Sequence, residues 1–308
     1  MKACRPCSKR SLAIVATRVA ATALTLALTA PAYAVDTDPG DYTALPDGAN
    51  AFLLYGQYAQ RNAAYADGTK VPISPSLKSE VGIARFLHVV RIDDRWTVDP
   101  NVLLPFGHLK ASGDMSALGS ASGVGDLILA PAFKYKVDPA SGETFGFTPY
   151  VFVPTGTYHA DQPLNLGEHR WKLALQVAYT RPLAPKWRWD AVADVTFHGD
   201  NDRCRAACGS ATDLTLKRDA LYELQGHLRY EASAALFGAV SLTHSWGGES
   251  HVGDTPLGDR VRTTAVRLTG AYFIASNTQL LATLARDLAV ENGLRENVRV
   301  NLRVLYLF

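Results

Sequence analysis

Two short constellations in the chain could do chemistry, His244-Ser245 and His198-Gly199-Asp200. A histidine beside a serine or an aspartate is raw material for nucleophilic catalysis, with the imidazole as base. Such a site needs its nucleophile, base and orienting group within hydrogen-bond reach. Neither segment is accompanied by a GxSxG elbow or an HExxH helix. On a strand, neighbouring residues point to opposite faces, so adjacency argues little for a dyad. No catalytic residue, metal set or cofactor is expected. Gly123-Val124-Gly125-Asp126 imitates a phosphate loop but lacks the Lys and Ser/Thr of a nucleotide site. Its glycines suit a tight bend into a strand, with Asp126 bonded inside that bend or facing a lumen. Cys204 and Cys208 lie in a polar stretch. Two thiols do not complete a tetrahedral metal site, so a loop disulfide is the preferred reading in an oxidising compartment.

The compartment is set by the start of the chain. Lys2, Arg5, Lys9, Arg10 and Arg18 form a basic start, Val19 to Ala30 an apolar core, and Ala32-Tyr33-Ala34 a small-x-small site. This predicts a secretory signal peptide over 1–34, cleaved near Ala34. Its apolar run is short of the ~20 residues of a spanning helix. Setting aside those five basic residues leaves 26 Lys and Arg against 29 Asp and Glu. A slightly acidic chain offers no electrostatic footprint for nucleic acid. Charges, Gly or Pro interrupt every later apolar run, so no later segment reads as a spanning helix.

What remains alternates. Val298, Val300, Leu302, Val304, Tyr306 and Phe308 share one face; Arg299, Asn301 and Arg303 share the other. A period of two with apolar and charged faces is a half-buried strand. About twelve such strands are expected, near 51–61, 79–91, 95–109, 123–137, 143–155, 170–181, 186–198, 219–231, 235–247, 261–274, 278–288 and 297–308. Short connections alternate with long ones at 62–78, 110–122, 156–169, 199–218, 248–260 and 289–296. Unequal turns and an even strand number fit an all-β, antiparallel up-and-down outer-membrane barrel over 51–308. Residues 35–50 would form a periplasmic tail or a plug. Trp96, Trp187 and Trp189 fall at the short-turn end, Trp171 and Trp246 at the long-loop end, as two interfacial belts would.

The faces name the candidate lumen. Arg188, Asp190, Asp194, Glu223, Gln225, His227, Arg229, Glu231, Arg299 and Arg303 all sit opposite apolar neighbours. Arg85 fits badly, because it shares a face with Val81, Ile83, Leu87 and Val89. That face must look inward or the strand must bulge, since a mid-membrane Arg in lipid costs roughly 2–4 kcal/mol. Pro100, Pro105, Pro131, Pro149 and Pro154 interrupt predicted strands and mark the least regular region.

Gly123-Val124-Gly125-Asp126, then Pro149-Tyr150-Val151-Phe152-Val153-Pro154-Thr155-Gly156, then Asn165-Leu166-Gly167 before Arg170-Trp171, together resemble the family named for the MetA pathway of phenol degradation. The resemblance runs from about Asn50 to Phe308. It implies an outer-membrane transporter-like β-barrel for aromatic or other hydrophobic compounds.

About twelve strands give a bore between the filled interior of ~8 and the channel of roughly 16–18. Mixed wall charges suit a neutral or weakly polar solute better than an ion. Passive uptake of small hydrophobic or aromatic compounds is therefore expected. The alternatives are a non-conducting structural or adhesive barrel and, further off, a surface lipid hydrolase. Outer-membrane lipid and the barrel assembly machinery, the latter through Phe308, are the expected partners.

Overall fold

A computed structural model describes residues 36–308; the signal peptide expected over 1–34 lies outside the described residues. Twelve antiparallel strands close into a barrel. In chain order they are β1 (Asn50–Ala66), β2 (Pro75–His88), β3 (Trp96–Asp99 and Asn101–Gly113) and β4 (Ser120–Val124, Leu127–Leu129 and Ala132–Asp138). Next come β5 (Glu143–Val153), β6 (Lys172–Ala184), β7 (Trp187–His198) and β8 (Leu221–Glu231). The circuit ends with β9 (Leu236–Gly247), β10 (Val261–Ala275), β11 (Thr278–Val290) and β12 (Gly293–Leu307). Each strand pairs with its neighbours, and β1 pairs with β12 to shut the seam, Tyr55 opposite Arg303 and Ala59 opposite Arg299.

The pleat sorts the side chains as a membrane requires. In β12, Leu302, Val304 and Tyr306 are exposed while Arg299 and Arg303 are buried. In β8, Tyr222, Leu224, Leu228 and Tyr230 are exposed while Glu223, Gln225, His227 and Arg229 are buried. This inverts a soluble barrel, and only a hydrocarbon surround makes such an exterior favourable. Trp187 packs on Tyr230 and Trp96 on Tyr135 at the short-turn end; Trp246 stacks on Tyr222 at the other. In β2 the same alternation turns Phe86 outward and Arg85 inward, where Arg85 meets Asn101, Tyr55 and Asp41. Val81 and Ile83 therefore face the interior, and no bulge is needed.

The strand boundaries differ from expectation on the long-loop side. The segments 62–78 and 289–296 are mostly strand, and β11 meets β12 through Glu291 and Asn292 alone. Two causes hide them from a period-two reading. Register shifts interrupt β1 at Gln60, Arg61 and Ala63. A buried ion pair, Arg61 to Glu296 at 2.5 Å, occupies what looks like polar loop sequence. Two of the five prolines interrupt strands as the sequence suggests, while Pro105 and Pro149 lie inside continuous ones. Pro100 breaks β3, and Pro131 with Ala130 breaks β4 beside it, with Ala130 N donating to Asn101 O at 2.9 Å.

Outside the wall, Asn201–Cys204, Leu214–Arg218, Ser250–Val252 and Thr255–Pro256 form a small sheet within the long connections. Helical structure among the described residues amounts to two 3-10 turns, Ser116–Leu118 and Ala206–Cys208.

Candidate functional site

The interior is layered. At the short-turn end Ala51, Leu53, Leu87, Val89 and Leu305 make an apolar cluster. At the long-loop end Ala64, Leu77, Ala111, Met115, Leu164 and Leu294 are among those that make another. Between them runs a polar belt, which the segment before β1 enters.

That segment lies against the belt. Asp36 bonds Arg299 at 2.7 Å and Arg267 at 3.3 Å. Asp38 and Asp41 both reach Arg303, at 2.8 and 3.0 Å. Thr37 N donates to Gln225 Oε1 at 3.1 Å, and Gly40 N to Asp190 Oδ2 at 3.1 Å. The Tyr42 hydroxyl meets Thr148 at 2.7 Å and donates to Gln176 at 2.9 Å. Charged groups in such an interior are tolerated only when paired.

Eight of the ten lumen candidates are buried, and Arg188 and Glu231 are half-buried. Arg188 pairs with Glu231 at 2.9 Å, and Arg229 lies 3.6 Å from Asp190. Gln176 donates to Asp194, and Ser241 hydrogen-bonds His227 at 2.8 Å. His227 is fully buried, so it lines no open water path. The histidine constellations do not assemble into a catalytic group. His244 faces outward, stacks on Trp246 and bonds Thr264; Ser245 faces inward and donates to Glu223 at 2.6 Å. His198 Nδ1 lies 3.2 Å from the Asp219 carbonyl oxygen.

Two cavities flank the belt. One of about 520 Å³ lies toward the short turns, against Asp41, Leu45, Lys134, Phe237 and Leu305. The other, about 350 Å³, lies under the connection 154–171, against Leu77, Leu109, Phe152, Tyr158 and Arg170. Sequence reasoning did not single out Asp36, Asp38 and Asp41, and it met Arg170 only as part of a family motif. Asp36, Asp38 and Asp41 spaced along one segment carried a signal, because they match arginines already assigned inward.

The connection 154–171 folds back into the barrel, and a node of bare backbone holds it there. Gly123-Val124-Gly125-Asp126 does not open a strand: β4 begins at Ser120, and the motif breaks it at Gly125 and Asp126. Asp126 accepts from Gly156 N at 2.9 Å and from Glu168 N at 3.0 Å. A Cβ on Gly156 would stand 2.7 Å from Gly125 C and from Gly167 Cα. Only glycine permits that approach. Lys172 and Glu168 then form a close ion pair. Burial raises the Glu168 pKa, but Lys172 and then Arg170 outweigh it and bring the carboxyl down to about 2.

Over the cavity, the Sγ atoms of Cys204 and Cys208 are bonded. Ala206 N donates to Ala160 O at 2.9 Å, Tyr158 OH to Arg203 O at 3.0 Å, and Arg205 pairs with Asp161 at 2.9 Å. The connection 199–220 is thereby strapped to 154–171 as a roof.

A lipid-facing closed barrel with a polar, nearly filled interior defines an outer-membrane β-barrel. The chain belongs to the family described as Putative MetA-pathway of phenol degradation, whose profile matches residues 61–304. It is similar to the COG4313 outer membrane channel from Pseudomonas putida F1, at 44% identity and a TM-score of 0.85, over 89% of this chain and 100% of that one. The beta domain of the Bordetella autotransporter BrkA shares the fold at 11% identity and a TM-score of 0.53, over 85% of this chain and 100% of that one. The transport unit of the Escherichia coli autotransporter AIDA-I does so at 7% identity and 0.51, over 94% and 98%. No curated protein matches the chain. The Gly125, Gly156 and Gly167 node joins all three motifs that carry the family resemblance.

Proposed function

We propose that this barrel admits small hydrophobic or aromatic compounds across the outer membrane by passive diffusion. The observation that carries the reading is the divided interior. Cavities of about 350 and 520 Å³ have walls that are mainly apolar, and they flank a belt of paired charge. Pockets of this size suit ligands of drug-like dimensions or smaller. A general porin would need a continuous aqueous bore. Residues 36–49 act as a plug in this reading, and the lumen candidates brace it. Arg299 and Arg303 hold its carboxylates, and Asp190 and Gln225 hold its backbone. Movement of the plug opens the path between the cavities. The protein works as a conduit without catalysis. The outer-membrane assembly machinery is its partner during insertion, through Phe308.

The test is uptake of phenol and toluene into proteoliposomes, with planar-bilayer conductance beside it. Accelerated entry of the aromatics with small conductance is expected. Absence of flux in both assays removes the reading and favours a closed structural barrel, for which the filled belt is the specific argument.

A further inference from the structure

The outer cavity contains a buried charge that is only loosely paired. Arg170 ends the roofing connection, and its side chain is 5% exposed. Its Nε and Nη1 atoms are buried and make no hydrogen bond. The nearest carboxylate oxygen, Glu168 Oε2, is 3.9 Å away, and the other oxygen of Glu168 is engaged by Lys172. Asp126 also lines the cavity, but backbone amides take both of its oxygens. Arg218 lines the same space and donates from Nε to Gly248 O at 2.9 Å.

A buried polar group without partners is rare in a folded protein. A buried charge repays its desolvation only where its pairing geometry is good. Leu77, Leu109, Ile128, Phe152 and Leu164 give the wall an apolar side, beside polar and charged residues that include Arg61, Glu168 and Lys172. A guanidinium presents a planar fork that fits a carboxylate with two parallel hydrogen bonds. A neutral hydroxyl would leave the charge uncompensated.

We propose that the outer cavity binds a small amphiphile carrying one carboxylate on an apolar body, and that Arg170 receives the carboxylate. This assigns a substrate class to the transport reading and rests on it. The acid enters with its apolar part against Phe152 and Leu109. Its head lies beside Arg170 and Arg218. The site therefore selects aromatic or short-chain acids over their alcohols.

Fluorine NMR titration of the full chain in neutral detergent tests this, with para-fluorobenzoate and its neutral counterpart para-fluorobenzyl alcohol as probes. Empty micelles give the background. At neutral pH the carboxylate is expected to bind about tenfold more tightly than the alcohol, a difference of about 1.4 kcal/mol. Arg170→Gln should abolish that preference without weakening the alcohol. Arg170→Lys, which keeps the charge and loses the fork, should retain part of it and serves if the Gln variant fails to fold. Equal binding of the two probes to the wild type overturns the proposal, as does a preference that survives Arg170→Gln. Toluene uptake separates the two readings. Uptake without carboxylate preference removes the site and leaves transport standing; preference without any uptake does the reverse.

Discussion

Arg303 of β12 holds Asp38 at 2.8 Å, and this bond ties the strand that shuts the seam to the segment that precedes β1. Arg303 also binds Asp41 at 3.0 Å and donates to Gln279 at 2.7 Å. Leu302, its neighbour, is exposed on the other side of the wall. Substitutions at the two positions should fail differently. Leu302→Arg places a charge in lipid, at roughly 2–4 kcal/mol, and should lower the yield of heat-modifiable barrel. Arg303→Leu takes its close cation from half-buried Asp38 and leaves Asp41 to Arg85, at a cost of up to about 3 kcal/mol. It should still insert, but with a lower unfolding temperature and a larger single-channel conductance. Adding Asp38→Asn should restore part of the lost stability, since contacting residues couple. Identical behaviour of the two single variants would contradict the assigned faces.

Gly156→Ala tests the backbone node. The new Cβ would meet Gly125 C and Gly167 Cα at 2.7 Å, and backbone atoms have little room to yield. A cost of about 1–3 kcal/mol is expected, as for overpacking elsewhere. Limited proteolysis should then cut within 154–171 much faster than in the wild type. Gly270→Ala, where nothing lies within 4 Å, should leave the cleavage pattern unchanged.

The ion pair of Glu168 with Lys172 should be resistant to acid. The folded Glu168 carboxyl, with a pKa of about 2, lies below its ordinary value of 4.5. A depressed carboxyl contributes stability above the unfolded pKa and loses it as pH falls through the folded one. The Glu168 contribution to docking should therefore persist at mildly acidic pH and be lost as pH falls from 4.5 toward about 2. Fluorescence of a dye placed near the roof reports it. Glu168→Gln should remove this acid transition; an unchanged transition would assign it to another group.

The Cys204–Cys208 bond straps the roof and takes no part in the wall. Replacing both by Ser should cost about 2 kcal/mol by the chain-entropy account of a short loop. The loss should appear as faster proteolysis of 199–220, with heat-modifiable mobility unaltered. Loss of the folded band would show that the barrel itself depends on the bond.

The wall was legible in the sequence because lipid imposes a period of two on every strand that crosses it. β7 and β8, with Trp187, Trp189, Tyr222 and Leu228 opposite Asp190, Asp194, Glu223 and Arg229, carry that period without interruption. It failed where the chain answers to its own interior. The outer halves of β1 and β12 hold the Arg61–Glu296 pair and a bulge, so their pattern resembled loop sequence. Arg85 looked misplaced because Leu87, two residues on, also faces inward and fills space near the short turns. The candidate site was legible only in part. Inward charges follow from alternation, but the proximity of Arg170 to a cavity follows from how 154–171 folds back. A glycine node made by three distant motifs governs that folding.

The acids of the segment before β1 also act as a ruler for the seam. A strand that slips by two residues keeps every side chain on its proper face, so the surrounding hydrocarbon does not penalise the mistake. Such a slip would displace Arg299 and Arg303 by about 7 Å along the wall. In one direction it would set neutral Asn301 where Asp38 finds Arg303. Correct closure is the arrangement in which Arg299 and Arg303 reach Asp36 and Asp38 together. The beginning of the folded chain proofreads its end.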